Sequence, residues 1–327
     1  MQYSHISKLF KIISPKDWSG LIKISIFIIA CFFIGFFLKK SLYKINEIVE
    51  LFTIRRESND WLLLFVFILL PINWGMESLK WQFLVQKNER LSFLSSYRGV
   101  LSGITLGFAT PNGIGDYAGR LLQLKEKNRF KNLGFLFFNR FAQLHITLIA
   151  GSTSILFLFF NAETPDYLYA YLALLFFVII NVSIVGLLFL SSSFFKAFYN
   201  FKYTKRFYFY FISLRKINKN DCIRIYVYSS IRYLVFSLQF LLLLIYFHLQ
   251  SDLLNMAMGI AFVFLVKSIL PSFLDLGVRE AAAVFYFSET GQWDSAVAAS
   301  LVLYFINIVI PTILGLFVLP KLKLKLK

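Results

Sequence analysis

Two glycine-rich stretches, each broken by a proline, carry charged side chains inside otherwise apolar segments. They read TPNGIGDYAGR at 110–120 and LPSFLDLGVREAA at 270–282. In each, an acid follows the proline and an arginine follows the acid by four residues, a spacing that brings both charges to one face of a helix. The pairs are Asp116 with Arg120 and Asp275 with Arg279. Charged groups within a membrane are costly and mark ligand or ion pathways. The two breaks therefore predict a binding site for a charged or polar ligand.

The residues around each proline favour a helix that breaks and restarts. Pro111 and Pro271 lack a backbone donor, and the glycines that follow permit positive φ and the close approach of a ligand. A restarting helix presents free amides and partial positive charge at its N-terminus, which suits a phosphate or a carboxylate. We expect the amides of Gly113, Gly115 and Gly277 to make such contacts.

Side chains complete the predicted site. Arg140 lies early in an apolar segment and is expected to face the same cavity, while Glu280 has no evident local partner and is expected to contact a proton or a headgroup. The predicted substrate-binding residues are Pro111, Gly113, Gly115, Asp116, Arg120, Arg140, Pro271, Asp275, Gly277, Arg279 and Glu280. A second interpretation stays open, in which the two Asp–Arg pairs neutralise each other and only cap helices.

Composition places these residues in a multi-span membrane protein. The 327 residues are 58% hydrophobic and 19% aromatic, which is typical of that class. The net charge of +17 comes from basic loops between apolar segments, as the positive-inside bias produces, so no nucleic acid partner is expected. The separated cysteines, Cys31 and Cys222, and three scattered histidines offer neither a disulfide framework nor a metal site. We expect no metal and no cofactor.

Hydropathy predicts about six full spans, each near the ~20 apolar residues that a bilayer requires. They cover 18–38, 60–83, 133–160, 167–190, 225–247 and 295–319. Three charged residues near the ends of these segments, Glu77, Lys80 and Arg232, are interpreted as interfacial anchors.

The two broken stretches do not fit the pattern of a full span. Segments 95–131 and 253–288 each contain at least one limb too short to cross a core of about 30 Å as a helix. We interpret both as re-entrant helical hairpins within an all-α polytopic fold. Basic loops at 196–224 and 320–327 predict a cytoplasmic location for the C-terminus, and the N-terminus is predicted to lie on the same side.

With this orientation the hairpins enter the membrane from opposite sides, which is typical of an inverted repeat. The predicted units are an N-terminal span and loop at 1–59, a first repeat at 60–160, a connecting span and basic loop at 161–224, a second repeat at 225–319 and a basic tail at 320–327.

Two motifs resemble those of a known family. The run Pro-Asn-Gly-Ile-Gly-Asp at Pro111–Asp116 and the quartet Gly-Val-Arg-Glu at Gly277–Glu280 are similar to motifs in the membrane domain of lysylphosphatidylglycerol synthases, the flippase-like part of the multiple peptide resistance factor. Arg140 resembles an arginine that the family places after the first motif. The resemblance implies a bacterial or archaeal cytoplasmic membrane and movement of a lipid between leaflets. Because the sequence runs only to Lys327, we expect a stand-alone member without the soluble aminoacyl-transferase domain.

These observations together predict a flippase-like transporter, and not an enzyme, for a lipid with an anionic or zwitterionic headgroup. Two alternatives stay open: a membrane-embedded transferase or accessory subunit acting on lipid-linked sugars, and a non-catalytic scaffold of an envelope complex. A homo-oligomer is compatible with each of them.

Overall fold

The computed structural model describes the protein at residues 60–108, 110, 113–125, 129–161, 167–189, 212–270, 277–288 and 291–319. All regular elements in these ranges are helical. The predicted first span at 18–38 and the basic tail lie outside the described residues, as do Pro111, Pro271 and Asp275 of the predicted site.

Ten α-helices are described, with a short π-helical turn at Phe305–Val309 that joins the last two. They are α1 Asp60–Val85, α2 Phe93–Phe108, α3 Gly115–Leu122, α4 Leu133–Phe160, α5 Tyr167–Phe189, α6 Lys219–Tyr246, α7 Leu253–Ile269, α8 Val278–Phe287, α9 Trp293–Tyr304 and α10 Ile310–Leu316. Four described segments are long and apolar enough to cross a membrane: Asp60–Val85, Phe130–Phe160, Lys219–Tyr246 and Trp293–Leu316. They coincide with four of the predicted spans, and α5 covers the position of a fifth.

Helices α1 and α6 pack side by side in opposite directions. Near one end, Gln239 Nε2 donates to the Val66 carbonyl at 2.9 Å; near the other, Lys87 Nζ lies 2.5 Å from Asp221 Oδ2. Asp221 also forms a capping box with Asn218, which satisfies free amides at the start of α6 and fixes its first residue as Lys219.

Helices α2 and α3 form a hairpin whose two limbs touch through glycines. A side chain at Gly115 would overlap the Leu106 carbonyl, and one at Gly119 would overlap the backbone of Gly103. Such contacts let helix backbones approach closely within a membrane. With eight residues, α3 is only about 12 Å long at ~1.5 Å per residue.

Helices α7 and α8 form a second pair of similar construction. Gly259 contacts the ring of Phe287, and Phe262 stacks on Phe285 with ring centroids 5.6 Å apart. The order of these contacts shows that α8 returns along α7. Its ten residues begin directly after Gly277, which adopts a φ of 85° that favours glycine.

The first limb of each hairpin packs against one of the long helical segments, Phe130–Phe160 or Trp293–Leu316, from the other part of the chain. Ser154 Oγ of α4 donates to the Met258 carbonyl of α7 at 2.6 Å. In the corresponding place, Thr105 Oγ1 of α2 donates to the Thr312 carbonyl of α10 at 3.0 Å. These cross-contacts hold the first limb of each hairpin against the long helical segments.

Candidate functional site

The predicted pair on the first hairpin is present and buried. Arg120 Nε donates to Asp116 Oδ1 at 2.9 Å across one turn of α3. Only 3% of Asp116 and 1% of Arg120 remain exposed. Gly103 on α2 lies directly against the Asp116 carboxylate, so that a side chain at that position would displace it. Gly103 therefore makes room for the acid as well as for the close approach of α3 to α2.

A second acid, Glu77 of α1, also binds Arg120. Arg120 Nη1 donates to Glu77 Oε1 at 2.6 Å, and Asn139 Nδ2 of α4 donates to the same oxygen at 2.7 Å. Glu77 is 2% exposed. Its interpretation as an interfacial anchor is wrong, because its carboxylate is enclosed by helices α1, α3 and α4.

The other oxygen of Glu77 faces two further cations. Lys80 Nζ lies 3.1 Å and Arg232 Nη1 lies 3.3 Å from Glu77 Oε2. Lys80 is fully buried and also donates to Gln143 Oε1 at 3.1 Å and to Ser229 Oγ at 3.2 Å. The anchor interpretation is therefore also wrong for Lys80. It is wrong for Arg232 because α6 begins at Lys219, which places Arg232 at the middle of the helix.

Arg140 of α4 also belongs to this site and lies on the more exposed side of it. Its Nη2 donates to Asp116 Oδ2, so that Asp116 bridges Arg120 and Arg140. The Arg140 side chain is 49% exposed, whereas its acidic partner is almost completely enclosed. We refer to Glu77, Lys80, Asp116, Arg120, Arg140 and Arg232 together as the ionic cluster.

Neutral side chains extend the ionic cluster towards the last long helix. Arg232 Nε donates to Asn73 Oδ1 at 3.1 Å, Asn73 Nδ2 donates to Asn307 Oδ1 at 2.7 Å, and Asn307 Nδ2 donates to Gln239 Oε1 at 3.0 Å. Asn307 lies in the π-helical turn, a type of distortion that is frequent at functional sites.

The two described charges of the second stretch, Arg279 and Glu280, lie apart from the ionic cluster. Arg279 is 4% exposed, and its guanidinium lies 5.4 Å from the centre of the Tyr304 ring. Glu280 accepts from the Gly277 amide at 2.7 Å and from Ser300 Oγ at 3.3 Å. Glu280 therefore has a local partner after all. No hydrogen bond or ion pair between the described residues joins this group to the ionic cluster.

The backbone amides that were predicted from the sequence to bind phosphate already donate to acceptors within the protein. Gly113 donates to the Thr110 carbonyl at 3.2 Å, and Gly115 donates to Thr110 Oγ1 at 2.7 Å. The amide of Gly277 is bound by Glu280. A ligand would consequently meet side chains, and Arg140 is the most accessible of the charged ones.

Long apolar helices around a buried ionic cluster define an all-helical, polytopic membrane protein. The model of the family described as the Lysylphosphatidylglycerol synthase TM region matches residues 20–315. The chain belongs to this family, and the resemblance predicted from the sequence is confirmed. The family connects the chain with lipid modification or flipping. No curated protein and no solved structure matched the chain.

Proposed function

We propose that the protein is a flippase-like transporter that moves a polar-headgroup lipid between leaflets, and that it is not an enzyme. The observation that carries the proposal is the ionic cluster. Its members lie on helices long enough to span the membrane and on the hairpin between them. Ionised groups at such positions are costly unless they are paired, hydrated or in contact with a ligand, and they mark substrate pathways.

The half-exposed Arg140 supports a lipid as the transported molecule. Nη2 of Arg140 binds Asp116, and the remaining donors of this half-exposed side chain need water or a second anionic partner within the membrane. A lipid headgroup provides that partner, while its acyl chains stay among the apolar side chains that the long helices expose, such as Phe137 and Leu144. The family's connection with lipids points in the same direction.

An inverted repeat would allow the conformational change that transport requires. In this proposal the units are α1–α4 and α6–α10, related by a pseudo-two-fold axis in the membrane plane. The antiparallel packing of α1 on α6 and the two matching cross-contacts, α4 on α7 and α10 on α2, support it. Rocking of one unit against the other would open the ionic cluster to each side in turn.

The proposed setting is the cytoplasmic membrane, with both termini in the cytoplasm and the hairpins entering from opposite faces. The basic loops support the orientation. The short second limbs, eight residues in α3 and ten in α8, support re-entrant hairpins, because neither can cross about 30 Å of hydrocarbon.

Reconstitution tests the proposal. The purified full chain is placed in vesicles that contain headgroup-labelled lipids, and the loss of label accessible from outside is followed over time. We expect lipid movement with the wild type and its loss in Asp116→Asn, which removes the negative charge shared by Arg120 and Arg140. Asp294→Asn makes the same chemical change at an exposed position and serves as control. Absence of movement for every lipid class tested would reject the proposal.

A further inference from the structure

The ionic cluster carries more positive than negative charge. It contains four cationic side chains, Lys80, Arg120, Arg140 and Arg232, and two carboxylates, Glu77 and Asp116. Within the described part of the chain this leaves a surplus of two positive charges. Such a surplus is unfavourable in a region of low dielectric unless an anion offsets it.

The contacts show where the surplus lies. Arg120 has two carboxylate partners. Lys80 shares the Glu77 carboxylate with other cations, and its further acceptors, Gln143 and Ser229, are neutral. Arg140 has one carboxylate, Asp116, and is half-exposed. Among the described residues, the one carboxylate that Arg232 contacts is Glu77, which it shares with Lys80 and Arg120, and Arg232 is 16% exposed. The uncompensated charge is therefore on the side of the ionic cluster formed by Arg140 and Arg232.

The two arginines of this side are held in a common polar setting. Arg232 Nη1 donates to Gln143 Oε1 at 3.4 Å, and Gln143 follows Arg140 by one turn of α4. The Arg232 guanidinium lies 5.1 Å from the centre of the Trp74 ring and 5.8 Å from that of Phe236. Aromatic neighbours of this kind fix the plane of a guanidinium. Planar guanidinium groups are suited to binding phosphate through two parallel hydrogen bonds.

We propose that the Arg140–Arg232 side of the ionic cluster binds the phosphate of a lipid whose headgroup has a net negative charge. This inference rests on the proposed function for the nature of the ligand as a lipid, and it adds the charge class of the substrate. A headgroup that combines phosphate with one amine satisfies the arginines less well, because its ammonium group adds positive charge next to them. An aminoacylated headgroup with two amines is disfavoured further. The expected order is phosphatidylglycerol, then phosphatidylethanolamine, then lysylphosphatidylglycerol.

The test is a competition for binding to the purified full chain. The protein is equilibrated in detergent with equal amounts of the three lipids, and the bound lipids are counted by native mass spectrometry. The two lipids share the phosphate and differ in the ammonium group, which places a repulsive charge next to the arginines. Because one such charge within several ångströms is enough to change affinity by about tenfold, we expect about a tenfold preference for phosphatidylglycerol over phosphatidylethanolamine.

Substitutions test whether the preference for phosphatidylglycerol depends on Arg140. Arg140→Gln is expected to remove most of it, and Arg140→Lys, which keeps the charge, to retain part of it. Arg224→Gln removes the same charge from an exposed position of α6 and is the matched control. Thermal unfolding of each variant shows whether it is folded, and Arg140 is suited to this design because its side chain is half-exposed.

The outcomes separate this inference from the proposed function. Equal binding of the three lipids, or a preference that survives in Arg140→Gln, would overturn the inference. Displacement of phosphatidylglycerol by an equal concentration of inorganic phosphate would assign the site to free phosphate and overturn the lipid assignment. If the preference depends on Arg140 and no lipid moves in vesicles, the site stands and the transport proposal fails. If all three lipids move equally, transport stands and the charge selectivity fails.

Discussion

Replacing Glu77 by glutamine should destabilise the fold more than any other removal of a single charge from the described helices. Glu77 is the carboxylate that Arg120, Lys80 and Arg232 share, at 2.6, 3.1 and 3.3 Å. Glutamine keeps the shape and one acceptor. It removes the negative charge and turns an amide donor towards cations that can only donate.

The magnitude follows from the burial of the partners. Removal of one member of a buried ion pair costs about 3–5 kcal/mol, because the remaining charge is left without compensation. With Glu77 2% and Lys80 0% exposed, the loss should lie in this range. That is a large fraction of a total stability of roughly 5–15 kcal/mol.

Unfolding of the purified protein in detergent, followed by heat or denaturant, measures the loss. Asp294→Asn, an exposed acid on α9, should change stability by about 0.5 kcal/mol or less. A double variant makes the reasoning specific. Adding Lys80→Met to Glu77→Gln removes one of the unpaired cations and shortens its unbranched side chain by one heavy atom only, so part of the lost stability should return, about 1–4 kcal/mol. If Glu77→Gln is as stable as Asp294→Asn, or if Lys80→Met makes the double variant worse, the account of the ionic cluster is refuted.

Two glycine substitutions test how the hairpins are held. Gly119→Ala should cost about 1–3 kcal/mol and slow lipid movement, because its methyl group would overlap the backbone of α2 and push α3 and Asp116 away; Gly75→Ala, where an added methyl group meets nothing within 4 Å, should be neutral or gain up to about 1 kcal/mol. Gly277→Ala should cost at least about 1–2 kcal/mol in thermal unfolding, since a φ of 85° is unfavourable for any residue with a Cβ atom; a loss no larger than that of Gly75→Ala would count against a strained start of α8.

The described charges of the two hairpins have different partners, although both segments contain a proline followed by the Asp-x-x-x-Arg pattern. In the first, the acid faces arginines from its own helix and from α4. In the second, the Glu280 carboxylate accepts hydrogen bonds from the amide of Gly277, directly before α8, and from the Ser300 hydroxyl. The bond between the Gly277 amide and the Glu280 side chain has the i,i+3 spacing of one half of a capping box, so it could have been predicted from the sequence.

The sequence by itself determined the class of protein, four of its long helices, the family and the Asp116–Arg120 pair. Each of these depends on a local pattern: the length of apolar runs, a short motif or an i,i+4 spacing. Only the tertiary structure placed Glu77 next to Arg120, across 43 residues of chain. From hydropathy, the span that corresponds to α6 was predicted to begin at residue 225, because the first turns of this helix are polar. In the structure the helix begins at Lys219, directly after the Asn218 cap. That shift moves Arg232 to the middle of the helix. The ionic cluster is then decided by which helix faces meet, because charges on separate helices become partners only when packing encloses them together.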